Sequence, residues 1–312
     1  MASVRKSQGL RAEVVTTGKL GRRGFLSGML CLAASDAFPQ AKTPPSRVAT
    51  PDRAATQTVL SLGVLPAVTV APQFYRGMGS TPQLPSGIPS CGDPTEPNLE
   101  VLQRYGVDLV VTGTIAADVQ AVLRRVAPVF PLEIYTGQVA VLDRAKSETA
   151  RLADFLRLSA QGRAAIDAVD DILTTEAARI AGLTWRPMFL VGLSPDGRNM
   201  TVYGRNSIMY DVMDHLGLEN AWTGPTNAFG FASAGIEELA GRPDAELLHI
   251  EYGRMTDAAL AKLASSPLWN SLPMVRAGRV FRIPRFEVFG ALPAAPQFAR
   301  LLTDTLLEAS RT

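Results

Sequence analysis

Few side chains in this chain are capable of covalent or metal chemistry. His215 and His249 are its only histidines, and Cys31 and Cys91 its only cysteines. Neither pair has metal-ligand spacing. His249 sits in an apolar run and reads as a core histidine with its ring nitrogens satisfied, while His215 reads as an outward residue near a helix end. Leu193-Ser194-Pro195 follows a strand-like run but lacks the glycine spacing of a nucleophile elbow. Gly77-Met78-Gly79 is too irregular for a dinucleotide loop, and no Gly-rich Lys-Ser/Thr loop occurs. No nucleophile, base or metal set emerges, so neither an enzyme nor a resident cofactor or metal is expected. What remains is recognition by fixed polar and aromatic groups. Tyr75 and Arg76 are the first candidates. They lie in residues 72–97, where proline and glycine are dense enough that a long irregular segment without a helix is expected. Long loops inside compact domains are commonly functional.

The rest of the chain supplies elements that could position such groups. Residues 42–58 begin as a Pro-rich, mobile lead, and Val59–Leu62 reads as the continuation of a helix ended by Gly63. Asn98–Tyr105 is a short amphipathic helix, Val107–Val111 a buried parallel strand, Asp118–Val126 a helix and Val129–Tyr135 a strand. That alternation indicates an α/β lobe. No proline occurs from Leu142 to Leu183. Ala165, Ile166, Val169, Ile172, Leu173, Ala177 and Ile180 recur there at helical spacing, with Gly182 as a stop, so a helix is expected over 160–181. The grammar then restarts. Met188–Leu193 is a strand, Ser194–Gly197 a turn and Thr201–Tyr203 a strand. Asn206–Leu216 is a helix capped by Asn206 or Ser207. Ile236–Ala240 and Ala258–Ala264 are helices, Leu247–Glu251 and Val280–Ile283 strands, and Pro296–Ala309 the closing helix. The layout is two Rossmann-like α/β lobes joined by a single long helix: residues 42–159, a linking helix at 160–182, and residues 183–312.

The first 41 residues have a different character. Arg5, Lys6, Arg11, Lys19, Arg22 and Arg23 make a basic start, FLSGMLCLAA follows from Phe25 to Ala34, and the small residues Ser35, Ala37 and Ala41 come next. This is the order of an export signal, and Arg22-Arg23 ahead of Phe25-Leu26 resembles the twin-arginine address for folded cargo. The apolar run, about ten residues, is too short for a membrane span, which needs roughly 20. Cleavage is acceptable after Ala37 or after Ala41. Removing residues 1–41 leaves 25 basic against 27 acidic residues. No basic stripe for nucleic acid is then present. Cys91 becomes the sole cysteine, without an intramolecular disulfide partner.

Several stretches resemble the periplasmic iron-siderophore binding proteins. Thr95-Glu96-Pro97-Asn98-Leu99-Glu100 ahead of Val107–Val111 is similar to their N-terminal lobe. Val202–Ser207, then Gly217 and Asn220–Asn227, resemble the C-terminal lobe of the ferric-hydroxamate binders in that family. Ser266–Pro273, Val275–Arg279 and Arg282-Ile283-Pro284 continue the likeness in order, so that it runs from residue 45 to residue 305. The resemblance implies the helical-backbone periplasmic binding protein fold and the role of solute-binding component of an ABC importer. The cargo would be an Fe(III)-siderophore complex and the partner a permease dimer in the inner membrane. The protein itself would be a periplasmic monomer that performs no chemistry. Binders of haem or cobalamin share the fold, and an exported enzyme on this scaffold is a further alternative.

Two kinds of site follow from the resemblance. Relatives dock through one acidic residue on each lobe, which places Glu100 and Glu237 against permease arginines, with Glu238 the near alternative. In the cleft, the relatives' hydroxamate-binding arginine and tyrosine are replaced by Pro94 and Ala117, which can do neither job. Phe229 and Glu287 stand where tryptophans are expected and Phe289 where a tyrosine is, while Asn227 is retained. A simple hydroxamate is therefore not implied. Arg76, Arg205, Arg254 and Arg285 fall in loops expected near the cleft mouth, and guanidinium suits anionic carboxylate or catecholate chelates by charge and bidentate donation. Tyr75 and Tyr252 can stack or donate, and Glu287 can orient an arginine, accept from a ligand amine or face solvent.

Overall fold

The computed structural model describes residues 44–113, 116–138 and 140–311. The leader at 1–41, with its arginine pair, lies outside the described residues. The first lobe is built on a parallel sheet of β1 (Val48–Thr50), β2 (Val68–Thr69), β3 (Leu109–Thr112) and β4 (Val129–Pro131), in the order β2-β1-β3-β4. Its helices are α1 (Arg53–Ser61), α2 (Pro72–Gly77), α3 (Leu99–Arg104) and α4 (Ala117–Leu123). Then come α5 (Val141–Phe155) and α6 (Ser159–Ile180). The second sheet holds β5 (Met188–Leu193), β6 (Asn199–Tyr203), β7 (Phe231–Gly235), β8 (Glu246–Ile250) and β9 (Val280–Ile283), in the order β7-β6-β5-β8-β9. Here β5, β8 and β9 run parallel, and β6 and β7 are added antiparallel. Helices α7 (Ile208–His215), α8 (Arg254–Leu263), α9 (Pro267–Ser271), α10 (Pro273–Arg276) and α11 (Ala294–Ala309) complete the lobe, with a 3-10 turn at Ile236–Gly241.

The local causes are legible. β5 is apolar throughout (MFLVGL) and buried throughout, as a central strand covered on both faces must be. Asp196 Oδ1 accepts from Arg198 N at 2.8 Å and Asn199 N at 2.9 Å, closing the β5–β6 turn. Those bonds hold the Asp196 carboxyl down at about 2. α6 has 22 residues, a rod of about 33 Å, and its inner stripe of Val169, Leu173 and Ile180 is buried. Gly182 ends it in a left-handed conformation, φ 79°. One apolar cluster runs from Val48 in β1 through Leu152 in α5 and Leu173 in α6 to Met188 in β5 and Phe298 in α11. The lobes thus share a core.

Some expectations require correction. Order begins early in the stretch 42–58: β1 starts at Val48 and α1 at Arg53. The Pro-rich stretch does contain a helix, α2. Pro72 occupies its first turn, where the missing N–H costs nothing, so proline starts this helix instead of preventing it. The helix expected over 160–181 is α6, and the proline-free run holds a second helix, α5, ahead of it. Arg157 breaks them apart in a left-handed conformation, φ 59°, with no glycine or proline to announce it. The weakly strand-like FASAG of β7 forms because β6 offers an antiparallel edge. His249 is buried as expected, yet its Nδ1 has no hydrogen-bond partner among the described residues, and burial lowers its pKa, favouring the neutral ring. Cys91 is a buried free thiol pushed up to about 12 by desolvation, so it is a packing residue. No helix among the described residues is long and apolar enough to cross a membrane.

One close helix contact makes a test. A Cβ on Gly162 of α6 would lie 2.5 Å from the Ala153 Cβ of α5. Gly162→Val should lower stability by about 1–3 kcal/mol through overpacking, read as a lower urea midpoint. An unchanged midpoint would refute this α5–α6 contact.

Candidate ligand-binding cleft

Parallel α/β sheets offer a crevice outside the carboxyl ends of their strands, where chain order reverses. In the first sheet β1 is that place, since the chain leaves it for β2 on one side and returns to β3 on the other. A cavity of about 570 Å³ opens there. Its first wall comes from segments that follow the strands: Asp52 and Arg53 after β1, Val70 after β2, and Ala116, Asp118 and Val119 after β3. Pro94 and Thr95, ahead of α3, close one side. The facing wall is aromatic and belongs to the second lobe: Phe229, Phe231 and Phe289.

Each wall is fixed from behind. The buried hydroxyls of Thr50, Thr56 and Thr69 bond one another at 2.8–3.0 Å, pinning β1, β2 and α1 together. Asp52 caps α1 by accepting from Ala55 N at 2.8 Å. Phe289 lies at the centre of the aromatic wall, 5.9 Å edge-on from Phe229, 5.4 Å from Phe231 and 6.4 Å from Tyr203. Tyr135 reaches across from the first lobe. Its ring lies 5.6 Å from Phe229 and its hydroxyl donates to the Gly290 carbonyl at 2.7 Å. The loop carrying Phe229 is held by Asn227, whose Oδ1 accepts from Phe229 N at 2.9 Å and Phe231 N at 3.3 Å. Gly230 lets that loop lie on the start of α7. Its φ is 77°, and a Cβ would come within 2.2 Å of Ser207 N.

The electrostatics centre on one ion pair. Arg53 Nε donates to Glu287 Oε2 at 2.6 Å, joining residues 234 apart in sequence. Glu287 is 1% exposed. The guanidinium of Arg53 lies 5.0 Å over the Phe74 ring. Phe74 in turn lines a second hollow of about 400 Å³, together with Met78, Tyr203, Tyr252, Met255 and Arg285. Arg53 therefore stands between two chambers. Burial pushes the phenols of Tyr135, Tyr203 and Tyr252 upward, and the Glu287 charge adds to it. Burial also raises the Asp52 carboxyl against the pull of the Ala55 amide and Arg53, and the Glu287 charge raises it further. Among the described residues no group of three or more His, Cys, Asp or Glu is placed to hold a metal ion.

The residues expected from sequence are distributed unevenly. Phe229 and Phe289 face the cavity. Glu287 lies behind it as the partner of Arg53, and Asn227 acts through the loop that presents Phe229. Tyr252 and Arg285 belong to the second hollow. Tyr75 is not on the wall. It is 1% exposed and its hydroxyl donates to the Pro82 carbonyl at 2.8 Å. Arg76 donates to the Pro85 carbonyl at 3.0 Å, Arg205 lies exposed over Tyr210, and Arg254 is exposed at the start of α8. None of these three lines either chamber. Pro94 is on the wall, and exposed Ala117 follows the lining residue Ala116. Glu100 and Glu237 are exposed, one in the first turn of α3 and the other in the 3-10 turn. Asp52, Arg53, Thr95, Asp118 and Phe231 were not foreseen. A signal for the first two exists in the strand-like Val48-Ala49-Thr50 followed by Pro51 and the N-cap residue Asp52 at the head of a helical stretch.

Residues 48–285 match the protein family described as periplasmic binding protein. The chain is 30% identical over 262 residues to the iron(3+)-hydroxamate-binding protein FhuD of Escherichia coli (strain K12), covering 84% of this chain and 87% of that protein. Among solved structures, FhuD of Vibrio cholerae with Fe3+-Desferal bound has a TM-score of 0.77 at 24% identity, covering 84% of this chain and 98% of the other. The petrobactin-binding protein YclQ of Bacillus subtilis has a TM-score of 0.66 at 15% identity, covering 85% and 93%. Both structures share the fold.

Asp52 gives a pH test. A carboxyl raised by folding contributes stability below its unfolded value and loses it as pH rises through the raised one. Asparagine can still cap α1 but does not ionise. The thermal midpoint of Asp52→Asn relative to wild type should therefore rise between about pH 4 and pH 7. A difference that stays constant over that range would contradict the raised carboxyl.

Proposed function

The chain belongs to the periplasmic binding protein family, and from that premise we propose that it is the solute-binding component of an ABC importer, capturing a ferric siderophore outside the cytoplasm and handing it to the membrane permease. The observation that carries the ligand class is the cavity between the lobes. Its volume and its mostly apolar wall with a few fixed polar groups suit a small chelate. The E. coli relative is named for binding iron(3+)-hydroxamate.

The charge of the site narrows the class. Among the described residues Arg53 is the one cation on the wall of the main cavity, and Glu287 neutralises it; Asp52 and Asp118 are the other ionisable groups described there. An anionic chelate would meet carboxylates and no uncompensated cation. A neutral or weakly cationic chelate fits better, its positive edge facing three aromatic rings. This replaces the expectation of an anionic ligand, which rested on arginines that lie elsewhere.

Docking to the permease is assigned to exposed Glu100 on the first lobe and Glu237 on the second. The twin-arginine leader brings the folded monomer to the periplasm.

Calorimetric titration tests the ligand. A neutral tris-hydroxamate ferric chelate should bind tightly and saturably, and haem and cobalamin should not. Binding of haem or cobalamin with no ferric chelate bound would overturn the proposal. For export, Arg22→Lys with Arg23→Lys should shift the protein from the periplasmic fraction to an unprocessed cytoplasmic form. Unchanged processing and fractionation would rule out this route.

A further inference from the structure

We propose that Arg53, oriented and neutralised by Glu287, is the donor that grips the iron-bound oxygens of the ligand, and that the neutrality of this pair makes the cleft prefer neutral chelates to anionic ones. This rests on the ferric-chelate function above and names the group that would carry its selectivity.

Oxygens bound to Fe(III) keep lone pairs and partial negative charge, so a binding site must bring N–H or O–H donors to them. The wall offers few. Pro94, Ala116, Val70, Val119 and the phenylalanines have no side-chain donor, and Asp52 and Asp118 accept when ionised. Thr95 has a hydroxyl, but it donates to Asp93 Oδ1 at 2.6 Å. Among the described residues Arg53 is the side-chain donor left. Its Nε–H is committed to Glu287, while its terminal amino groups donate to no described residue. Its side chain is 28% exposed, on the cavity wall.

Orientation and charge come from the same partner. Glu287 fixes one edge of the guanidinium plane and Phe74 covers a face at 5.0 Å, so the free edge is held in place before a ligand arrives. Lysine could not reproduce this, because an ammonium has neither the plane nor the fork. Because Glu287 is buried, its charge is not screened by water and cancels that of Arg53 where the ligand would sit. The pair keeps strong N–H donors while presenting little net charge. A tris-hydroxamate ferric chelate is neutral and satisfies it. A tris-catecholate ferric chelate is trianionic and lies near the buried carboxylate.

Calorimetry with those two chelates tests the proposal on four proteins: wild type, Arg53→Lys, Glu287→Gln, and the apolar double replacement Arg53→Met with Glu287→Met, in which no buried charge is left unpaired. Arg53→Lys should weaken the neutral chelate about tenfold, and the double replacement about thirtyfold or more, the loss expected for a charged hydrogen-bond donor. Glu287→Gln should move the ratio of anionic to neutral affinity at least about tenfold toward the anion. A structural role alone would lower both affinities in parallel and leave that ratio fixed, which overturns the charge argument. A double replacement with a wild-type thermal midpoint and wild-type affinity overturns the role of Arg53. If wild type binds the neutral chelate, such failures fall on this inference alone. If wild type binds neither chelate, the ferric-siderophore function falls with it.

Discussion

The chain between β9 and α11 crosses the middle of the molecule without regular structure, and its buried polar groups must find partners away from any ladder. They find them on the other lobe. Gln57 Oε1 accepts from Ala291 N at 2.8 Å, the Tyr135 hydroxyl donates to the Gly290 carbonyl at 2.7 Å, and Arg53 meets Glu287 at 2.6 Å. Gln297 continues the series, donating to the Gly79 carbonyl at 2.7 Å. Breaking the contacts at Ala291, Gly290 and Glu287 would leave buried donors and acceptors unpaired at a cost of about 1–3 kcal/mol each, and more for the carboxylate. The two lobes are therefore held by a polar seam as well as by the apolar cluster running through α5, α6 and α11.

That seam explains why the cleft exists as a formed cavity. Phe289 lies on the crossing segment itself, and Phe229 leans on Tyr135, so the aromatic wall is fixed by the same residues that tie the lobes. The opposite wall is fixed by the threonine hydroxyls behind Asp52 and Arg53. A ligand entering such a site needs little side-chain ordering, which favours affinity at modest contact area. Any opening must stretch the seam and α6 together, so small relative movements of the lobes suit this architecture better than a wide hinge.

Legibility from sequence followed the range of the interaction. β5, β9, α6 and α7 rest on apolar periodicity and capping within a few residues, and they appeared where expected. Ser207 caps α7 and Asn98 caps α3, as their side chains allow. α2 was concealed because proline breaks a helix in its interior but opens one at its first turn. α5 was not expected; Arg157, in a left-handed conformation, separates it from α6. In the cleft, Phe229 and Phe289 were identified through family likeness. Arg53 was passed over because a basic residue after Pro51-Asp52 looks like lead sequence until a parallel sheet places it at the end of β1.

The sequence by itself determined that this is an α/β chain with a long middle helix and the motifs of iron-siderophore binding proteins. Those features are local in sequence or carried by family likeness, so a linear reading reaches them. Tertiary structure alone decided which charges meet. Tyr75, Arg76, Arg205 and Arg285 were all plausible ligand contacts on paper. The fold left Tyr75 in the core, turned Arg76 to the Pro85 carbonyl, set Arg285 in the second hollow and brought Arg53 to a glutamate 234 residues away. The reason is physical: the sign and strength of a buried charge depend on its partners across the core, and those partners exist only once both sheets and the segment between β9 and α11 have packed.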